Sequence, residues 1–147
     1  MLSLIILHSN DKVNEKDVIF DEFQSCVEDS LIRHKSLLDI LSKLQESESR
    51  LNRAVTKAVT NCGCVKLSAE KQVLCSDKEN CDSNLHQSPS SHITGNLCEN
   101  CVDIIESELG NHFFYLFSLC NTLNINLYDT LLKEYEKSSV LGKFTFR

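Results

Sequence analysis

Residues 99–123 read ENCVDIIESELGNHFFYLFSLCNTL. Val102, Ile105, Leu109, Phe113, Leu116 and Leu123 recur in this run at steps of three, four and seven, the spacing of one face of an α-helix. No proline interrupts it. Gly110 costs on the order of 1 kcal/mol relative to Ala unless a close neighbour requires it. The run is far too long for a strand, so a third helix is predicted from about Glu99 to about Leu123.

Working outward, Asn124-Ile125-Asn126 reads as a turn with Asn126 as the cap of a fourth helix. That helix, from about Leu127 to Lys137, is carried by Leu127, Leu131, Leu132 and Tyr135. Towards the start, Phe20, Phe23, Val27 and Leu31 predict a first helix over 17–31, with Asp17 able to cap it. A second pattern runs from about Ile32 to Thr60. Leu37, Leu41, Leu44, Leu51, Val55 and Ala58 mark its stripe, broken where Ser47 or Glu48 stands. Four such helices predict an all-α domain packed as a four-helix bundle over 1–147.

Between the second and third helices the chain changes character. Residues 65–97 are dominated by Ser, Asn, Asp, Gln, His, Lys and Glu, with Pro89 and Gly95 as breakers. Nothing apolar recurs there with a period, which predicts a long mobile or disordered loop. Such a segment makes sense if its two ends are tied together.

The ends carry the means to do so. One is Thr-Asn-Cys62-Gly-Cys64 and the other Leu-Cys98-Glu-Asn-Cys101. Two close cysteine pairs can give four thiolates to one tetrahedral ion, and thiolates select zinc among common cellular metals. Gly63 suits a tight turn that brings two sulfurs to one point. The predicted site is a structural zinc held by Cys62, Cys64, Cys98 and Cys101, coupling metal binding to folding. An iron–sulfur centre or another metal, unligated reduced thiols, and a pair of regulatory disulfides are the alternatives. Cys75, Cys81, His86 and His92 lie inside the loop as spare ligands or incidental residues. Cys26 and Cys120 fall on or beside apolar stripes and read as core thiols.

Composition excludes several classes. The formal net charge is -6, and the 15 Lys and Arg are scattered, so a nucleic-acid binder is not expected. No stretch approaches the ~20 apolar residues that span a bilayer. The opening Met1-Leu-Ser-Leu-Ile-Ile-Leu7 lacks a basic flank and a small-residue cleavage site, and reads as a short strand or a docked apolar tail. The expected compartment is the cytoplasm, where disulfides are rare and eight cysteines call for another role.

A polar set lies on the helices. Glu46, Ser47 and Arg50 stand on the second; Glu108 and Asn111 share a face of the third. They line a polar pocket or a solvated surface. No Ser/His/Asp or Cys/His nucleophile set and no Gly-rich phosphate loop is evident, and His34 and His112 read as single structural helical histidines.

The run ELGNHFFYLFSLCNTLNINL, residues 108–127, resembles the third helix of MazG-like nucleotide pyrophosphohydrolases. Those are all-α enzymes that cut nucleoside triphosphates to monophosphate and pyrophosphate with magnesium. The likeness covers residues 34–60 and 102–136, with the cysteine loop inserted between. The family pattern is Glu-Glu-x-x-Glu on one helix and Glu-x-x-Asp on the next. By that resemblance Glu46 matches the first Glu, Ser47 and Arg50 replace the other two, Glu108 matches the Glu of the second motif, and Asn111 replaces its Asp. Glu46, Glu108 and Asn111 are thus the candidate catalytic residues.

Magnesium requires hard anionic oxygens. Three lost carboxylates and one added guanidinium shift the local charge by about four units toward positive, which disfavours a divalent ion. The resemblance therefore implies an inherited fold with impaired or lost catalysis. Arg50 is then suited to meet a phosphate of a bound nucleotide directly. It also implies a homo-oligomer. A hydrolase with an altered metal shell and a non-enzymatic zinc-stapled interaction module are the other readings.

Overall fold

The computed structural model describes residues 18–70 and 91–141. Among them four helices and one small sheet are found. Helix α1 covers 18–30, α2 Leu37–Lys57, α3 Glu99–Thr122 and α4 Leu127–Leu141. The last turn of α2 widens into a π-helical turn, Ala58–Cys62. Two three-residue strands follow, β1 (Val65–Leu67) and β2 (Ile93–Gly95). No helix among the described residues is long and apolar enough to cross a membrane. Asp17 and the opening apolar stretch lie outside the described residues.

The helix ends follow local chemistry. The Ser36 hydroxyl accepts the Asp39 N–H at 3.1 Å and caps α2. The linker before it bends at His34, whose φ is 59°, so the second helix begins at Leu37 and not at Ile32, and His34 is a linker residue and not a helical one. Asn126 caps α4 as expected, its Oδ1 accepting the Asp129 N–H at 3.0 Å. Helix α3 closes in a Schellman arrangement: Ile125 N–H bonds Cys120 O at 2.8 Å, Asn124 N–H bonds Asn121 O at 3.1 Å, and Asn124 takes φ 55°. Asparagine tolerates that left-handed geometry better than most residues.

The chain divides into two compact units. Among the described residues, one takes those up to Glu48 and those from Gly110, and the other takes those between Ser49 and Leu109. In the first, Val27, Phe117, Cys120 and Leu127 form a buried cluster, with Phe20, Phe114 and Leu116 packed against it. Phe23 meets Phe117 edge-on at 4.8 Å between ring centroids, and Phe20 stacks on Phe117 at 6.1 Å. Full burial of a side chain such as Val27 or Phe117 contributes roughly 1.5–3 kcal/mol. Cys120 is the core thiol expected. Cys26 is not; it is exposed, its sulfur 3.9 Å from the Ser30 hydroxyl. It stands one position before the buried Val27, which turns it about 100° around the helix and away from the core.

The second helix buries a different stripe from the one its largest residues suggest. Leu37, Leu41 and Val55 are exposed, while Ile40, Ser47 and Ala58 are fully buried, with Leu44, Leu51 and Ala54 half-buried between them. Those six recur at steps of four and three without interruption. Ser47 is thus part of the inward face and not a break in it.

Gly110 lies in α3, and a Cβ built there meets nothing within 4 Å. Its flexibility is therefore a helix penalty with no packing return. Gly110→Ala is expected to raise the unfolding free energy by about 0.5–1 kcal/mol in chemical denaturation. A loss of stability would contradict this packing.

Candidate metal centre

The second unit is built around the joint between the end of α2 and the start of α3. The π turn carries Cys62. Gly63 follows with φ 71° and sends its N–H back to Ala58 O at 3.0 Å, reversing the chain. Few residues other than glycine hold that conformation cheaply. Cys64 comes next and leads into β1. On the other side, Cys98 caps α3 through its carbonyl, which accepts the N–H groups of Cys101 and Val102, both at 3.0 Å. Cys101 lies in the first turn of that helix.

A strand pair holds the two sides in register. β1 and β2 run antiparallel, with Val65 opposite Gly95, Lys66 opposite Thr94 and Leu67 opposite Ile93. One further bond, Ser68 N–H to His92 O at 2.8 Å, extends the pairing. Gly95 has φ 88°, and a Cβ on it would fall 2.6 Å from the Cys64 carbonyl oxygen. Only a residue without a side chain lets the chain before Cys98 lie against the backbone of Cys64. Beneath the joint, Ala58, Val65 and Cys101 are buried together, with Val59, Cys64 and Ile105 packed on them.

The segment 65–97, read as a featureless loop, is thus ordered at both ends. Residues 71–90, with Cys75, Cys81 and His86, lie outside the described residues. His92 is described and belongs to the ladder, not to the sulfur cluster.

The four sulfurs of Cys62, Cys64, Cys98 and Cys101 all lie within 4.8 Å of one another, close enough to hold a metal ion. The Cys62 and Cys98 sulfurs are 3.7 Å apart. A tetrahedron with Zn–S bonds of about 2.3 Å has edges of about 3.8 Å, so this pair already stands at the spacing zinc imposes. Closing the wider pairs takes movements of ~1 Å, and the donor set is the thiolate one that zinc prefers. Among the described residues this is the one group of three or more His, Cys, Asp or Glu gathered for an ion.

Crowding sets the thiols apart from one another. The backbone N–H of Cys101, then its thiol, stabilise the Cys98 thiolate, which lowers that group to about 7. Burial, then the neighbouring Cys98, push the Cys101 thiol up to about 12. Cys62 is drawn down by a hydrogen bond from Cys101, but Cys98 and Cys64 outweigh it and leave this thiol above its ordinary range.

The polar residues on α2 and α3 fall into separate groups. In the first unit, Glu46 pairs with Lys43 at 2.7 Å on an exposed face, and Asn111 is exposed. Ser47 is completely buried. Its hydroxyl donates to Leu44 O at 2.7 Å and lies 3.0 Å from His112 Nδ1. With the single hydroxyl proton committed to Leu44, the His112 ring nitrogen is the donor to Ser47 Oγ. In the second unit, Arg50 Nε sits 3.2 Å from a buried oxygen of Glu108, an ion pair rather than an aligned hydrogen bond.

No protein-family model matches the chain, and neither a curated protein nor a solved structure is significantly similar to it.

Metal binding needs thiolates and expels their protons. Above about pH 7 Cys98 has already lost its proton, and below that pH the metal must displace it. Apparent zinc affinity therefore rises with pH, and its logarithm climbs more steeply below about pH 7 than above it, by about one proton. Competition with a chromophoric chelator from about pH 6 to about pH 8.5 checks this; an unchanged slope through neutrality would contradict it.

Proposed function

We propose that this chain is a MazG-like helical bundle in which a four-cysteine zinc site has been added and hydrolysis has been impaired, so that it acts by binding a nucleotide or a protein partner. The observation that carries the zinc part is the convergence of four sulfurs from two stretches separated by 36 positions (Cys62 to Cys98). A metal there fastens the end of α2 to the start of α3, which makes its role structural.

The impaired chemistry is supported by what surrounds the surviving polar residues. Glu46 faces Lys43 and Glu108 faces Arg50, so each carboxylate is already neutralised by a cation. Ser47, at the position of a family carboxylate, is buried and committed to Leu44 and His112. None of these arrangements favours a magnesium ion, which seeks anionic oxygens with open geometry.

Of the two ligand classes, a protein partner has the stronger support. The first unit carries an apolar groove of about 420 Å³ lined by Ile19, Phe23, Phe113 and Leu131 among others, and these four side chains are between 38% and 63% exposed. Contiguous exposed apolar surface of this kind marks association sites. A second copy of the chain is the partner that the MazG resemblance favours. Arg50, the candidate phosphate contact, has its charge balanced by Glu108.

Elemental analysis of the purified full chain is expected to give about one zinc per chain, falling sharply in Cys62→Ser and Cys98→Ser with a lower unfolding midpoint. A chain that folds without metal would overturn the zinc reading. No pyrophosphate is expected from a panel of nucleoside triphosphates with magnesium or manganese; steady turnover would overturn the impaired-catalysis reading. A thermal shift with nucleotides but without turnover would make the nucleotide the ligand.

A further inference from the structure

We propose that the sulfur cluster is also a peroxide-responsive switch, in which Cys62 and Cys98 join in a disulfide and the metal is released. This rests on the metal reading above and adds a regulation to it.

The four sulfurs are not equally placed. Cys62 and Cys98 are exposed, Cys64 is half-buried, and Cys101 is buried. A small oxidant therefore meets the first two before the others. Cys64 also has its sulfur on the Ala58 carbonyl at 3.7 Å, and Cys101 lies inside a helical turn packed on Ala58 and Val65. These two are held by their surroundings.

Cys62 and Cys98 sit instead at element ends, one closing the π turn and the other preceding α3. Their sulfurs are 3.7 Å apart, and a disulfide needs about 2.05 Å, so a shift of ~1.7 Å shared between two chain ends makes the bond. Cys62 is followed by Gly63 at φ 71°, a hinge without a side chain to collide.

The chemistry balances with a peroxide as the oxidant. One of the two thiolates attacks the O–O bond; an S–O bond forms, the O–O bond breaks, and hydroxide leaves. The other thiolate attacks the resulting sulfenic sulfur; the S–S bond forms, the S–O bond breaks, and a second hydroxide leaves. Two electrons pass from sulfur to peroxide, two protons from solvent turn the hydroxides to water, and the metal departs as the same divalent ion. Two of its four ligands are then gone, and two thiolates do not hold it tightly.

The geometry gives this switch a particular outcome. Cys62 and Cys98 come from opposite sides of the joint. The disulfide therefore keeps the ends of the intervening segment tied when the ion leaves. Oxidation exchanges one fastening for another, and the β1–β2 ladder stays closed.

The test uses the full chain carrying Cys26→Ser, which removes the one exposed thiol outside the cluster among the described residues. Metal content is measured first. The zinc-loaded protein is then treated with hydrogen peroxide, zinc release is followed with a chromophoric chelator, and cross-links are mapped by mass spectrometry without reduction. The expected result is release of the bound zinc with loss of two thiols, a Cys62–Cys98 cross-link, and recovery of binding after a dithiol reductant. Zinc retained while free thiols elsewhere are oxidised overturns the switch and leaves the metal site standing. So does release accompanied by other pairings, such as bonds to Cys75 or Cys81. A protein without metal before the peroxide is added removes the metal reading and the switch with it.

Discussion

The joint between α2 and α3 depends on one constraint, the meeting of four sulfurs where three backbone devices converge. The π turn, the left-handed Gly63 and the two-stranded ladder each bring one part of the chain to the same point. None of them is strong by itself. A three-residue strand pair is marginal in water, and a single π turn is a rare departure from helical geometry. An ion held by four thiolates would supply what they lack, because its binding energy would be available to folding. The same convergence explains why a small cluster, Ala58, Val65 and Cys101, suffices as an apolar floor.

Much of this was legible in the residues. The two cysteine pairs are visible as spacing, and Gly63 between the first two sulfurs announces a turn. The third and fourth helices follow from their apolar periods and from Asn126. The ladder was not legible. Its six residues are nearly all exposed and its order comes from backbone pairing, so it leaves no alternating apolar signature. The one available signal was Gly95, a residue without a side chain three positions before Cys98. The π turn was equally silent, since nothing in AVTNC distinguishes it from an ordinary helical turn.

The second helix shows a different failure, one of weighting. Large leucines drew the stripe toward Leu37 and Leu41, yet burial follows Ile40, Ser47 and Ala58. A small polar residue can occupy an inward face when its hydroxyl is satisfied by a carbonyl and a ring nitrogen, as that of Ser47 is. A carboxylate in that buried position would need cations around it; a serine needs only Leu44 and His112. Lys43 pairs with Glu46 and Arg50 with Glu108, an arrangement suited to holding a shape.

The central claim is that one zinc ion sits among these four sulfurs. X-ray absorption at the zinc edge of the purified full chain measures the coordination shell directly. The account predicts four sulfur neighbours at about 2.3 Å and no nitrogen or oxygen in the inner shell. A shell containing imidazole or carboxylate ligands, or fewer than four sulfurs, would contradict it.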